Sequence, residues 1–126
     1  MTFPQQLYRR IAEALPGTTT RTFSRYCGMS EGYYGSICAQ NLPISTNALI
    51  CLAEVLDQII AVKESFQPRT AMSLRVVQQT IAEEIASRTQ NFQIGNVLVR
   101  KMIIRAVASV ALKRDHQLSM PAVILG

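Results

Sequence analysis

The chain has 126 residues, nearly half of them apolar, with a formal net charge of +5 and no tryptophan. That is enough for one small domain, or a small domain with an extension, and its core must be mainly aliphatic. The basic excess favours an acidic partner, nucleic acid first.

The charge is unevenly placed. Residues 1–67 carry as many acidic as basic side chains, so the whole excess of +5 lies in residues 68–126. Cys27, Cys38 and Cys51 fall within apolar patterns at spacings that match no zinc motif. They read as small buried hydrophobes in a reducing compartment, with redox sensing as the alternative. No metal site and no cofactor is expected. Neither a signal peptide nor an apolar run of about 18 residues is present, so the expectation is a cytoplasmic protein with no membrane role.

In chain order, Thr2-Phe3-Pro4-Gln5 opens a first helix, because Thr2 can cap, Pro4 suits the first turn and Gln5 completes a capping box. Leu7, Ile11, Ala14 and Leu15 form its apolar face, and Pro16-Gly17 ends it. A short second helix follows over about Arg21 to Cys27, with Phe23 and Cys27 on one face beside Ser24. Gly28 stops it, since glycine enters the left-handed region without steric cost. Met29 is the apolar residue of the turn, and Ser30 is a suitable cap for a third helix reaching about Gln40. Tyr34 and Ile37, three apart, should face the core.

Asn41-Leu42-Pro43 reads as a loop, with Ser45 and Asn47 as candidate caps for the fourth helix. Leu49, Leu52, Ala53, Leu56, Ile59 and Ile60 give that helix a clear stripe reaching Lys63 or Ser65. Phe66-Gln67-Pro68 breaks the pattern. A boundary placed there divides the chain into a helix-turn-helix domain (1–67) and a helical dimerisation module (68–126). The fifth helix, about Thr70 to Thr89, is amphipathic through Leu74, Val77, Ile81 and Ile85. The sixth, about Ile94 to Arg114, is apolar nearly all round and needs covering on several sides, which a second copy of the chain would supply. Val97, Ile103, Ile104, Val107 and Val110 are the candidate dimer contacts, and Arg100, Lys101 and Arg105 argue against a membrane span. The apolar tail to Gly126 is expected to pack.

Thr20 to Leu56 has further order. Ser24 is followed four residues on by Gly28-Met29-Ser30, then by Tyr34 and Ile37, then by Leu49-Ile50-Cys51-Leu52-Ala53-Glu54-Val55-Leu56. This arrangement resembles the lambda-repressor-like (XRE-type) helix-turn-helix family. That family has a small residue, usually Ala, at the Ser24 position, a glycine turn, two core hydrophobics three apart, and a later Leu-x-x-Leu-Ala-x-x-Leu helix. The resemblance implies that the third helix enters the major groove of double-stranded DNA. Ser30, Glu31, Gly32, Tyr33, Gly35, Ser36 and Gln40 would then be the base-reading candidates. Glu31 suits a cytosine amino group, Gln40 an adenine, and Ser36 several edges. No Arg or Lys lies between Glu31 and Leu42, so the strongest guanine reader is missing. Gly32 and Gly35 each cost a helix about 1 kcal/mol relative to Ala. They suit either close approach of the helix to the DNA backbone or, for Gly35, packing against another helix. Phosphate contacts should come from flanking residues, with Thr20, Arg21, Arg25 and Asn41 as candidates and Arg9 and Arg10 behind them.

The fold class expected is therefore all-α: a small helical-bundle head with a helix-turn-helix motif and a two-helix dimerisation extension. The expected function is a sequence-specific DNA-binding transcriptional regulator, acting as a homodimer on an inverted repeat. The alternative is an interaction module that keeps the fold but binds another regulatory protein or polymerase. No paired-carboxylate site, Cys/His pair, phosphate loop or metal cluster points to an enzyme, and His116 beside Asp115 reads as a surface residue.

Overall fold

The computed structural model describes residues 1–89. These form five helices and no strand: α1 (Phe3–Ala14), α2 (Thr20–Tyr26), α3 (Tyr33–Ala39), α4 (Thr46–Lys63) and α5 (Pro68–Thr89). The all-α expectation holds over the described residues. The candidate dimer contacts Val97, Ile103, Ile104, Val107 and Val110 lie outside them, as do the sixth helix, His116 and the apolar tail.

Helix α1 begins as its sequence dictates. Thr2 accepts from the Gln5 backbone while the Gln5 side chain accepts from the Thr2 N–H, a complete capping box with Pro4 in the first turn. Leu7 and Ile11 are buried and Ala14 and Leu15 half-buried. Helix α4 starts on Ser45, whose hydroxyl accepts from the Ala48 N–H. Leu49, Leu52, Ala53, Leu56 and Ile60 form its buried stripe, with Ile59 half-exposed at the edge.

One compact unit spans Met1–Ile81. Within it α2 packs on α3 and α4, and α1 packs on α3. Its core gathers Leu7, Ile11, Phe23, Leu49, Leu52 and Leu56, all at most 1% exposed. The Phe66-Gln67-Pro68 break is a turn, with Phe66 and Gln67 both donating to the Lys63 carbonyl, and the compact unit runs on past it. Polar contacts tie the first part of α5 to earlier helices. The Gln78 amide donates to the Ala53 carbonyl and to Asp57, each at 3.2 Å. Arg75 pairs with Glu64, and Arg10 reaches the Thr80 hydroxyl at 3.4 Å. Helix α5 begins on Pro68, two residues earlier than its periodicity predicts, because a proline needs no N–H at the first helical position. Its stripe of Leu74, Val77, Ile81 and Ile85 is buried.

Candidate nucleic-acid interface

Helices α2 and α3 end in the same backbone device. At the end of α2 the Gly28 N–H donates to the Arg25 carbonyl and the Met29 N–H to the Ser24 carbonyl. At the end of α3 the Asn41 N–H donates to the Cys38 carbonyl and the Leu42 N–H to the Ile37 carbonyl. Each is a Schellman motif, which satisfies the last carbonyls by turning one residue left-handed. That residue is Gly28 at φ +71° and Asn41 at φ +53°. Asparagine is among the few non-glycine residues that take this conformation readily. Asn41, expected as a phosphate contact, thus has a backbone role that its loop-like sequence concealed; its side chain is exposed.

Gly28 is doubly constrained. A Cβ built on it would stand 3.1 Å from Cys51 Sγ on α4, so the turn lies against the helix behind it. Cys27, the last residue before the turn, is 1% exposed. Burial, with the neighbouring Cys51 adding to it, pushes its thiol up to about 12. A thiol so held stays protonated near neutrality and is a poor nucleophile. That fits a core side chain.

Ser24 joins the two short helices. It is fully buried. Its hydroxyl donates to the Thr20 carbonyl at 2.9 Å and accepts from the Tyr34 N–H at 3.0 Å. The second bond satisfies a donor that α3, starting only one residue earlier, leaves without an intrahelical acceptor. The Tyr34 ring then packs on Phe23, with centroids 5.4 Å apart and planes at 77°, and on Tyr8 at 5.0 Å. Tyr34 is half-buried rather than fully buried, while Ile37 is buried as expected. Burial first, then a hydrogen bond with Cys38, raises the Tyr34 phenol to about 12.

The third helix is shorter than Ser30 to Gln40. It covers Tyr33–Ala39, and Gly32, not Ser30, stands at its N-cap, with no side-chain cap. Ser30 instead closes a tight turn, its carbonyl accepting from the Tyr33 N–H at 3.0 Å. That turn places the helix start two residues later than the cap chemistry suggests.

The base-reading candidates divide into two groups. Tyr33 is half-buried, and its hydroxyl accepts from the Ser45 N–H at 3.0 Å. It links the start of α3 to the start of α4 and is not a free surface side chain. Gly35, Ser36 and Gln40 share an exposed face, with the Gln40 amide donating to Ser36 Oγ at 2.9 Å. Ser30, Glu31 and Gly32 are exposed just ahead of it. Nothing lies within 4 Å of a Cβ built on Gly32 or Gly35, so packing of Gly35 against another helix is ruled out within the described residues. Ala39 belongs to the same exposed face and was missed by sequence reasoning. Its spacing of three and four from Ser36 and Gly35 could have found it.

Thr20, Arg21 and Arg25 are exposed on α2. Arg25 comes within 3.8 Å of Glu31, both side chains being more than half exposed. Such a pair contributes about 0–1 kcal/mol, little enough for Arg25 to exchange Glu31 for another anion. Arg9 pairs with Glu13 on α1 at 3.2 Å. Among the described residues no group of His, Cys, Asp and Glu is arranged to hold a metal ion, and no helix is long and apolar enough to cross a membrane.

The geometry therefore defines an all-helical protein built around two short helices joined by a tight glycine turn. The chain belongs to DUF6626, a family of unknown function, whose model matches residues 5–93. No curated protein and no solved structure matches the chain.

Proposed function

We propose that the protein is a sequence-specific DNA-binding regulator of the lambda-repressor-like helix-turn-helix type, acting as a homodimer, with α3 presented to the major groove. The observation that carries this reading is the Ser24 bridge. It fixes α3 against α2 at a set angle while Gly35, Ser36, Ala39 and Gln40 face outward. A helix held so from behind, and bearing only small or neutral side chains in front, can lie deep in a groove. Open space at Gly32 and Gly35 adds to that. Arg21 and Arg25, exposed one turn apart on α2, would meet phosphates beside the groove. Two copies would set two such helices about 34 Å apart, one turn of DNA.

A second reading has one feature in its favour. The segment from Gly32 to Leu42 carries no charge, which suits another regulatory protein better than a polyanion. Fluorescence anisotropy with DNA from around the protein's own gene, at two salt concentrations, separates the two. The regulator reading requires binding that weakens steeply as salt rises. A folded protein that binds no fragment in a salt-dependent way transfers the case to the interaction module.

A further inference from the structure

The exposed side chain of Gln40 is tethered. Its amide donates to Ser36 Oγ at 2.9 Å, one helical turn back along α3, and both residues stand on the outward face. A glutamine carboxamide carries one acceptor oxygen and two N–H donors. The bond to Ser36 occupies one donor and leaves the oxygen and the other N–H for a partner. It also restrains a long side chain that would otherwise lose its rotamer freedom on binding.

The groups that remain are selective. In the major groove adenine presents the N7 acceptor beside the N6 amino donor, and one N–H with one oxygen matches that pair. Guanine presents two acceptors, N7 and O6. A carboxamide with both N–H groups free can turn them towards guanine. With one of them committed to Ser36, its oxygen faces O6, and two acceptors oppose each other. Ala39 precedes Gln40 on the same exposed face, and its methyl suits the C5-methyl of thymine. Gly35, one turn before Ala39, has nothing within 4 Å of an added Cβ, so bases can come close to the helix. No Arg or Lys between Glu31 and Leu42 is at hand to read guanine.

We infer that α3 recognises A·T base pairs, with Gln40 paired to adenine, Ala39 against a thymine methyl, and Ser36 as the positioning residue that sets Gln40 for adenine over guanine. Ser36 thus acts through Gln40 and does not itself read a base. The inference rests on the DNA-binding reading above and names the class of sequence that such a site takes.

The test is selection of duplexes from a randomised pool by the full chain, followed by anisotropy titrations of one selected duplex carrying base analogues. Selected half-sites should share A·T pairs at their core. The pair read by Gln40 is the one whose adenine preference Gln40→Ala abolishes. A deaza-adenine lacking N7 at that pair should weaken wild-type binding about tenfold and leave Gln40→Ala almost unaffected. Uracil in place of the neighbouring thymine, which removes only the methyl, should weaken binding several-fold. Ser36→Ala, with unchanged helical circular dichroism, should bind unselected DNA as wild type does but lose adenine-over-guanine preference several-fold at the Gln40 pair. Ser36→Thr keeps the hydroxyl and should retain that preference. Selected duplexes with a G·C core, or binding indifferent to both base analogues, overturn the inference while the DNA-binding reading stands. So does a Ser36→Ala variant with wild-type discrimination. Absence of salt-dependent binding to any of the pool overturns both.

Discussion

The Tyr34 N–H donates to the Ser24 hydroxyl across 3.0 Å, ten residues back in the chain and on the preceding helix. One buried oxygen thus does three things: it donates within α2, accepts from α3, and leaves neither side with a buried polar group unmatched.

Ser24→Ala should therefore cost more than an exposed serine. The Tyr34 N–H would be left without its partner, at about 1–3 kcal/mol. Urea unfolding should show a lower midpoint with an unchanged slope. An unshifted midpoint would mean that the bridge adds nothing to stability.

Gly28→Ala places a side chain at φ +71° and 3.1 Å from Cys51 Sγ. The left-handed backbone costs about 1–2 kcal/mol for a non-glycine residue, and the close contact adds to it. Gly17→Ala is the control, since Gly17 has φ +95° and nothing within 4 Å of the added carbon. Thermal melts should rank Gly28→Ala as the more damaging. Adding Cys51→Ala should recover part of the Gly28→Ala loss beyond its own effect. Equal losses at the two glycines would show that the Cys51 contact is immaterial.

Tyr33→Phe separates a structural tyrosine from a DNA-reading one. Its hydroxyl accepts from the Ser45 N–H at the start of α4, so its removal should lower stability by about 1–2 kcal/mol. Sequence preference in a DNA-binding assay should not change. Altered preference with unaltered stability would return Tyr33 to the reading face.

Alkaline pH should unfold the protein in part through Cys27. The folded thiol is raised to about 12 from an ordinary 9.0. The stability it contributes is complete below pH 9 and declines above it, as the unfolded thiol ionises and the folded one does not. The slope approaches about 1.4 kcal/mol per pH unit. The Tyr34 phenol, raised from 10.0 to about 12, acts in the same direction above pH 10. Denaturation midpoints from pH 8 to 11 should fall less steeply for Cys27→Ala than for wild type. Parallel slopes would be inconsistent with a thiol that stays protonated in the fold.

Arg25→Ala should weaken DNA binding about equally on all sequences and reduce its salt dependence, as loss of a phosphate contact does. Gln40→Ala should change preference at one base position and leave the salt dependence alone. The reverse pattern would exchange the roles of the two residues.

The elements were legible where chemistry acts over three or four residues. Thr2 with Gln5, Ser45 as one of two candidate caps, and the stripe from Leu49 to Ile60 each announce a helix locally, and the structure has the helices there. The glycine turn at Gly28 was legible for the same reason, since a left-handed residue after a short apolar helix favours glycine.

Other features depend on neighbours far along the chain. Ser30 has the chemistry of a cap, but the turn it closes hands the helix start to Gly32. Tyr33 has the look of a surface reader, but Ser45, twelve residues later, takes its hydroxyl. Asn41 looks like loop, but its backbone closes α3. By itself the sequence determined that this is a helical protein, where its main helices lie, and which faces they bury, because propensity, capping and periodicity are properties of adjacent residues. Only the tertiary structure decided which polar groups are already satisfied and which remain to meet a partner. A hydrogen bond across two helices depends on where the second helix is held in space, and packing fixes that position.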